Sequence, residues 1–325
     1  MAHELWLIKG STMTNITPLV GSISWRSNVD ELGDELSFNI AFNDANFFPT
    51  NPCDIGDMVM LKNEGYEITR AIIVDEQKNG RDPVSYTAFD FAFYLNKSNA
   101  VYQFNKMAAD QCIKKILGEF GIPIGTIVSM PVPITKIFPD DKVSDIIKEI
   151  ITITEQKLGI KYLMEMRQGK LCIEKQNDLT VKANFVLGGK SYNATDAIMN
   201  PSRKRSISDM VNSIQVVGNN DKLVLIQDDD SMIKKYGKIS KVMTLDQKEK
   251  KSAKEVAMNE LKQFSKVVEE ISIELIGDDR VRAGRLFDVV EPITGIKGRY
   301  LINDVSHSIE NGIHKMSLGL EVRNG

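Results

Sequence analysis

Histidine is scarce in these 325 residues, with His3, His307 and His314 the whole complement. General-base and zinc chemistry draw most often on this side chain, so enzymatic mechanisms begin with few candidate groups. Cysteine is equally thin. Cys53, Cys112 and Cys172 stand far apart and form no C-x-x-C pair, which excludes a zinc ribbon or dithiol redox motif and favours a reducing compartment. No apolar run approaches the roughly 20 residues that cross a bilayer. The start, Met1-Ala2-His3-Glu4, has no basic stretch leading into an apolar one, so neither membrane insertion nor signal-peptide secretion is expected. A basic excess is missing too: 41 Lys and Arg against 44 Asp and Glu leave a net charge of −3, not that of a dedicated nucleic-acid binder. What is present suits a globular chain. Hydrophobic residues make up 42% and charged residues 26%, and the length fits two or three domains at about 150 residues each.

The first hundred residues read as β-structure. Leu36-Ser37-Phe38-Asn39-Ile40-Ala41-Phe42 alternates with period two, and Met58 to Lys62, Ile68 to Val74 and Val84 to Phe89 supply further strands. Asn51-Pro52, Asp54-Ile55-Gly56-Asp57 and Asn79-Gly80 punctuate them as turns. Near residue 100 the period changes. Cys112, Ile113, Ile116, Leu117 and Phe120 form a helical stripe ending at Gly121, and Val143, Ile146, Ile147, Ile150, Ile151 and Leu158 form another ending at Gly159. Lys161 to Met166 and Lys170 to Lys175 follow as a hairpin. Asn200-Pro201-Ser202-Arg203-Lys204-Arg205 reads as a linker, after which Ser213 to Val217 and Leu223 to Ile226 return to strands. One more helix runs from an Asp246 cap through Ala253, Val256, Ala257, Leu261 and Phe264, before an alternating segment from Ile271 onward.

A faint internal repeat joins the two β-rich ends. Gly56-Asp57-Met58-Val59 is matched by Gly284-Arg285-Leu286-Phe287, each a glycine turn feeding an apolar strand. Thr69-Arg70-Ala71-Ile72-Ile73-Val74-Asp75 then corresponds to Arg299-Tyr300-Leu301-Ile302-Asn303-Asp304, and Asn79-Gly80 to Asn311-Gly312, with Val84 to Phe89 matching His314 to Val322. Three features in the same order at similar spacing point to a duplication.

Motifs for chemistry fail on inspection. Gly188-Gly189-Lys190-Ser191 resembles the end of a phosphate-binding loop, but Asn184 stands where its first glycine belongs, so a polar turn is expected. His307 and His314 lie seven apart on what should be a strand, which would put their rings on opposite faces and supports neither a triad nor a metal clamp. Asp228-Asp229-Asp230 and Asp278-Asp279 lack the spacing of a calcium loop and are read as solvated turns. Arg203-Lys204-Arg205 has no interleaved aromatics for stacking bases; whether it makes a specific contact stays open. Charge is uneven, net −7 over residues 1–100 and net +3 over 201–270, which suits association between unlike ends of copies. No catalytic, cofactor-binding or metal-ligating residues are assigned.

Several stretches carry a family likeness: Tyr86-Thr87-Ala88-Phe89-Asp90 with Tyr94-Leu95, Glu119-Phe120-Gly121-Ile122, Ser206 to Ile214, Asp230 to Gly237, and Gly298 to His307. With these the chain resembles the baseplate hub proteins of contractile phage tails and of PBSX-type defective prophage particles, relatives of late-control and T4-like hub proteins. The resemblance implies an α+β, mainly β fold, with two similar antiparallel tube-like β-barrel domains flanking an α+β domain. The corresponding boundaries are 1–99, 100–200 and 201–325, the last holding one helix at about 246–264. It implies a homotrimer whose six barrels match a hexameric tail tube protein on one side and seat a trimeric spike protein on the other. Tape-measure and LysM-type or other baseplate proteins are further candidate partners; no membrane, cofactor or sequence-specific nucleic acid is implied. The expected place is the baseplate of a virion or phage-tail-like particle assembled in the bacterial cytoplasm. Some relatives extend into a spike or wall-degrading domain, whereas this sequence stops at Gly325, so any lytic activity is expected of a neighbour. Two other readings remain, each with its own signature. A tail-associated peptidoglycan hydrolase needs a cleft with a carboxylate of raised pKa, and an oligonucleotide-binding barrel needs salt-dependent binding of single strands.

Overall fold

Period-two alternation in the first hundred residues becomes a curled antiparallel sheet. Its strands are β1 (His3–Lys9), β2 (Thr12–Asn15), β3 (Val20–Asn28), β4 (Glu35–Ile40), β5 (Met58–Asn63), β6 (Tyr66–Gln77) and β7 (Val84–Phe89). They lie in the order β2-β1-β5-β6-β7-β4-β3. Every second residue points inward, so Leu5, Leu7, Trp25, Leu36, Phe38 and Tyr86 share one core. The structure, a computed structural model, describes residues 3–45, 47–187, 190–218, 222–244 and 252–322.

The change of period near residue 100 is realised as an α+β layer. It comprises α1 (Ala92–Lys97), β8 (Asn99–Ala108), α2 (Ala109–Glu119), β9 (Ile124–Ile127), β10 (Pro133–Lys142), α3 (Val143–Leu158), β11 (Tyr162–Arg167) and β12 (Lys170–Lys175). Strands β8 and β10 pair antiparallel, β11 and β12 form the expected hairpin, and β9 adds to β12 in parallel. The apolar stripes of α2 and α3, with Ile113, Ile116, Ile146 and Ile150, pack with Phe104 and Phe138. Gly159 caps α3 in the left-handed region at φ +67°, where its N–H donates to the Glu155 carbonyl.

Then come β13 (Thr180–Val181), β14 (Asn184–Leu187), β15 (Lys190–Asn193) and β16 (Met199–Ser206). The linker expected over Asn200 to Arg205 is therefore a strand. Its basic residues are neutralised by acids some 66 residues on, which local sequence does not reveal: Arg203 and Arg205 pair with Glu269, and Lys204 with Glu270.

Compact packing divides the chain into Met1–Pro201 with Ser272–Gly325, and Ser202–Ile271. The second unit contains β17 (Ser213–Val217), β18 (Leu223–Asp228), α4 (Asp230–Tyr236), β19 (Ser240–Thr244) and α5 (Ala253–Phe264). Its sheet runs β18-β17-β19, with β19 parallel to β17, and Ala257 of α5 packs on Ile214 and Val216. Ser252 caps α5 in a reciprocal box with Glu255; the Asp246 cap expected from sequence lies outside the described residues. The triplet read as a solvated turn starts a helix instead: Asp229 accepts from the Met232 N–H at the head of α4, because its short carboxylate meets an unpaired helix donor.

The chain closes with β20 (Val268–Ile276), β21 (Leu286–Glu291), β22 (Ile296–Glu310) and β23 (Ile313–Val322). These continue the first sheet in the order β16-β20-β23-β22-β3, with β21 on the other edge of β22 and β13 beside β21. Strand β22 is long enough to serve two partners on one edge. Residues 296–301 pair with β21, and 304–309 pair with β3.

Candidate functional site

The repeat read from sequence has a geometric counterpart. Gly56 and Gly284 both adopt left-handed backbone, φ +87° and +84°. In the first copy the Gly56 N–H donates to the Ile73 carbonyl at 2.8 Å, and the Ile73 N–H donates to the Asp57 carbonyl at 2.9 Å. In the second the Gly284 N–H donates to Ile302 at 2.7 Å, and the Ile302 N–H donates to Arg285 at 2.9 Å. The same isoleucines precede matching bulges. Pairing skips Val74 between Ile73 and Asp75, and Asn303 between Ile302 and Asp304. Each copy is thus a glycine turn, a strand, a longer bulged strand and a closing hairpin, β5-β6-β7 and β21-β22-β23. Outside that meander the neighbours also correspond, β4 then β3 beside β7, and β20 then β16 beside β23. One difference remains at the other edge: β1 joins β5 antiparallel, whereas β13 joins β21 in parallel.

Two buried polar clusters were not foreseen. In the first, Arg282, 7% exposed, lies between Asp34 and Glu165. Its Nη2 donates to Asp34 Oδ2 at 2.5 Å and to the Met166 carbonyl at 2.6 Å, and its Nε donates to Glu165 Oε2 at 3.1 Å. Arg285 Nη2 donates to Glu165 Oε1 at 2.9 Å. Burial pushes the Glu165 carboxyl up, but the guanidiniums of Arg282 and Arg285 outweigh it and hold the group below its ordinary value. Next door, Asp90 accepts from the Asp34 and Ala92 N–H groups at 2.7 and 2.9 Å. Burial, followed by the Asp34 charge, pushes its carboxyl up. That is the raised carboxylate a hydrolase would need, yet at 1% exposure it is sealed from substrate and serves as a backbone acceptor. A cleft of about 650 Å³ is lined instead by charges of both signs, among them Arg26, Glu35, Asp145 and Asp304.

The second cluster corrects the reading of the histidines. His307 and His314 stand on different strands, because the Asn311-Gly312 turn between them reverses the chain, so their rings meet rather than point apart. His307 Nδ1 lies 3.0 Å from His314 Nε2, and His307 Nε2 lies 3.0 Å from the Val281 carbonyl. Burial pushes His307 down to about 3 and His314 down to about 4, so both are neutral near pH 7. His3 joins them from β1: its Nε2 is 2.9 Å from Asp279 Oδ1, which lies 3.7 Å from His314 Nδ1. Asp278 and Asp279 are accordingly not a solvated turn. Asp278 accepts from the Asn184 N–H and from Arg280, and Asp279 accepts from Asn63 Nδ2 at 2.6 Å. The ring of Trp25 stacks on His307 with centroids 4.6 Å apart. Among the described residues, His3, Asp279 and His314 hold ligand atoms all within 4.8 Å.

Lys190 and Ser191 open β15 in a hairpin with β14, while Gly188 and Gly189 lie outside the described residues. Burial pushes the Cys53 thiol up to about 12 and that of Cys112 up to about 11, which leaves both protonated.

Two Bacillus subtilis (strain 168) proteins are similar along most of their length. YqbQ is 26% identical over 283 residues, covering 83% of this chain and 82% of the relative. The phage-like element PBSX protein XkdQ is 24% identical over 279 residues, with the same coverage. Among solved structures, the 43 kDa tail protein of prophage MuSo2 from Shewanella oneidensis superposes with a TM-score of 0.69, at 12% identity and 98% of each chain. Residues 23–321 match the model of the YQBQ-like family, and the chain belongs to that family.

Proposed function

We propose that this chain is the hub of a contractile baseplate, a non-enzymatic homotrimer whose paired repeats make a six-part ring between a hexameric tail tube and a trimeric spike. At the coarser level it is a tail- or baseplate-type structural protein of prophage particles, in keeping with XkdQ and the Shewanella tail protein. In the finer reading, residues 1–99 and 201–325 contribute the tube-like parts and residues 100–200 the intervening α+β part. The ring is a component of a virion or tail-like particle, built in the cytoplasm.

The observation that carries the proposal is the duplicated turn, with its matching pair of hydrogen bonds and its matching bulge. A cyclic trimer needs a heterologous interface, and a duplicated sheet supplies one. Within one chain, the second repeat offers the far half of β22 to β3. The corresponding edge of the first repeat, beside Asp75, Glu76 and Gln77, has no strand partner among the described residues, since β6 is paired there only with β7. The strand that corresponds to β3 is β16, at the opposite end of the sheet. Pairing of β6 in one copy with β16 in the next would repeat the internal junction between copies and close the ring without exposed edges.

Mass in solution, followed by averaged images of particles, tests this reading. A trimer with pseudo-sixfold density is the expected result. A strictly monomeric chain that never enters tail particles overturns it. The hydrolase alternative predicts clearing in a zymogram, and the oligonucleotide alternative a salt-dependent shift of single-stranded DNA; neither is expected.

A further inference from the structure

All three histidines of the chain meet at one place, and the hydrogen-bond order there leaves a nitrogen lone pair facing a carboxylate. The Val281 carbonyl only accepts, so His307 Nε2 carries the proton that reaches it. His307 Nδ1 is then the acceptor, and His314 Nε2 is the donor at 3.0 Å. In a neutral His314 this leaves Nδ1 bare, 3.7 Å from Asp279 Oδ1. Two electron-rich atoms held that close, one on a buried ring and the other on a half-buried carboxylate, call for a cation between them. His3 Nε2 approaches the same carboxylate oxygen from the opposite end of the sequence.

We propose that His3, Asp279 and His314 form a zinc site that clasps the first strand of the chain to its last hairpin. Two imidazoles and one carboxylate suit Zn²⁺ rather than Ca²⁺ or Mg²⁺, which take oxygen ligands. Zinc bonds of about 2.0–2.2 Å arranged tetrahedrally put ligand atoms about 3.3–3.6 Å apart. The ligand atoms lie at 2.9 Å and 3.7 Å for the two pairs with Asp279, and all fall within 4.8 Å, so small side-chain shifts complete the set.

The surroundings are those of a metal centre as well. His314 gives its other nitrogen to His307, and Asn63 holds the second oxygen of Asp279, the supporting contacts that orient metal ligands. Asn63 Oδ1 is itself buried without a partner, an orphaned acceptor of the kind that a metal-bound water satisfies. Gly277 lets the backbone lie against the ring of His314, since a Cβ there would fall 2.2 Å from it. Three protein ligands leave a fourth position for water, and binding ties residue 3 to residues 279 and 314.

The full chain, purified without a histidine tag and dialysed, tests the site with Zn²⁺ and Co²⁺ alone. The expected result is about one Zn²⁺ per chain by elemental analysis, a melting temperature lowered by EDTA and restored by Zn²⁺, and visible d–d bands of four-coordinate Co²⁺. His3→Gln and Asp279→Asn should each weaken binding by more than about 100-fold, and Asn63→Ala by roughly 10- to 100-fold. His3→Gln alters an imidazole near the start of the chain, and circular dichroism verifies its fold. If the unaltered chain takes up neither ion stoichiometrically, or if His3→Gln and Asp279→Asn bind Co²⁺ as tightly with the same spectrum, the proposal fails.

Discussion

At the scale of single residues the decisive groups are charges hidden from water. Arg282 compensates Asp34 and Glu165 at once, and its three hydrogen bonds tie the turn before β4, the strand β11 and the segment before β21. Arg282→Met keeps most of the side-chain volume but leaves two buried carboxylates facing each other, so stability should fall by about 3–5 kcal/mol. Urea midpoints measure this, and an unchanged midpoint would contradict it. The same cluster sets an acid limb. Because the folded-state pKa of Glu165 lies below its ordinary value of 4.5, its stabilisation is present above that value and is lost as pH falls through the lower one. Urea midpoints should therefore fall less between pH 7 and about pH 3 in Glu165→Gln, which lacks this titration, than in the unaltered chain. None of this was readable from sequence. Positions 34, 165 and 282 share no spacing, and each looks like an ordinary charge beside an apolar strand. The histidine pair was misread for a related reason: a seven-residue interval was treated as one strand although Asn311-Gly312, already recognised as a turn, lies inside it.

Elements are where the duplication acts. Gly56 and Gly284 share left-handed backbone and the same hydrogen bonds, yet their surroundings differ. A Cβ on Gly56 meets nothing within 4 Å, while one on Gly284 would fall 2.1 Å from Leu163 Cδ1. Gly56→Ala should therefore cost only the backbone strain, about 1–2 kcal/mol. Gly284→Ala should cost that plus about 1–3 kcal/mol of overpacking. Thermal melts of the two variants compare them directly, and equal losses would mean that the Leu163 contact yields freely. Strongly periodic elements were legible: the stripes of α2 and α3, the β11–β12 hairpin and the alternation of β4 all appear where the pattern put them. Strand β3 was not, since its inward anchors Ile23 and Trp25 sit among Gly21, Ser22, Ser24 and Ser27, a composition that reads as loop until β4 and β22 pair with it. Strand β16 escaped for a similar reason, because its glutamate partners lie far along the chain.

For the whole molecule, the prediction concerns the open edge of β6. Asp75 is exposed and its side chain has no role in either buried cluster. Asp75→Lys should leave the melting temperature of the chain nearly unchanged and shift the mass distribution from trimer toward monomer, since a lysine on an open strand edge opposes pairing with a further strand. Mass photometry at several concentrations reads the outcome, and a trimer as tight as that of the unaltered chain would remove β6 from the interface.

The long strand β22 has one more consequence, and it concerns biosynthesis. Ile309 pairs with Ile23, so the outer edge of β3 stays unsatisfied on the ribosome until nearly the entire polypeptide has emerged. At about 5–20 residues per second that interval lasts tens of seconds, during which the nascent first half carries an unfinished, sticky border. Truncated translation products should consequently clump rather than fold, and yield should depend on chaperones that shield this border until the final hairpin arrives.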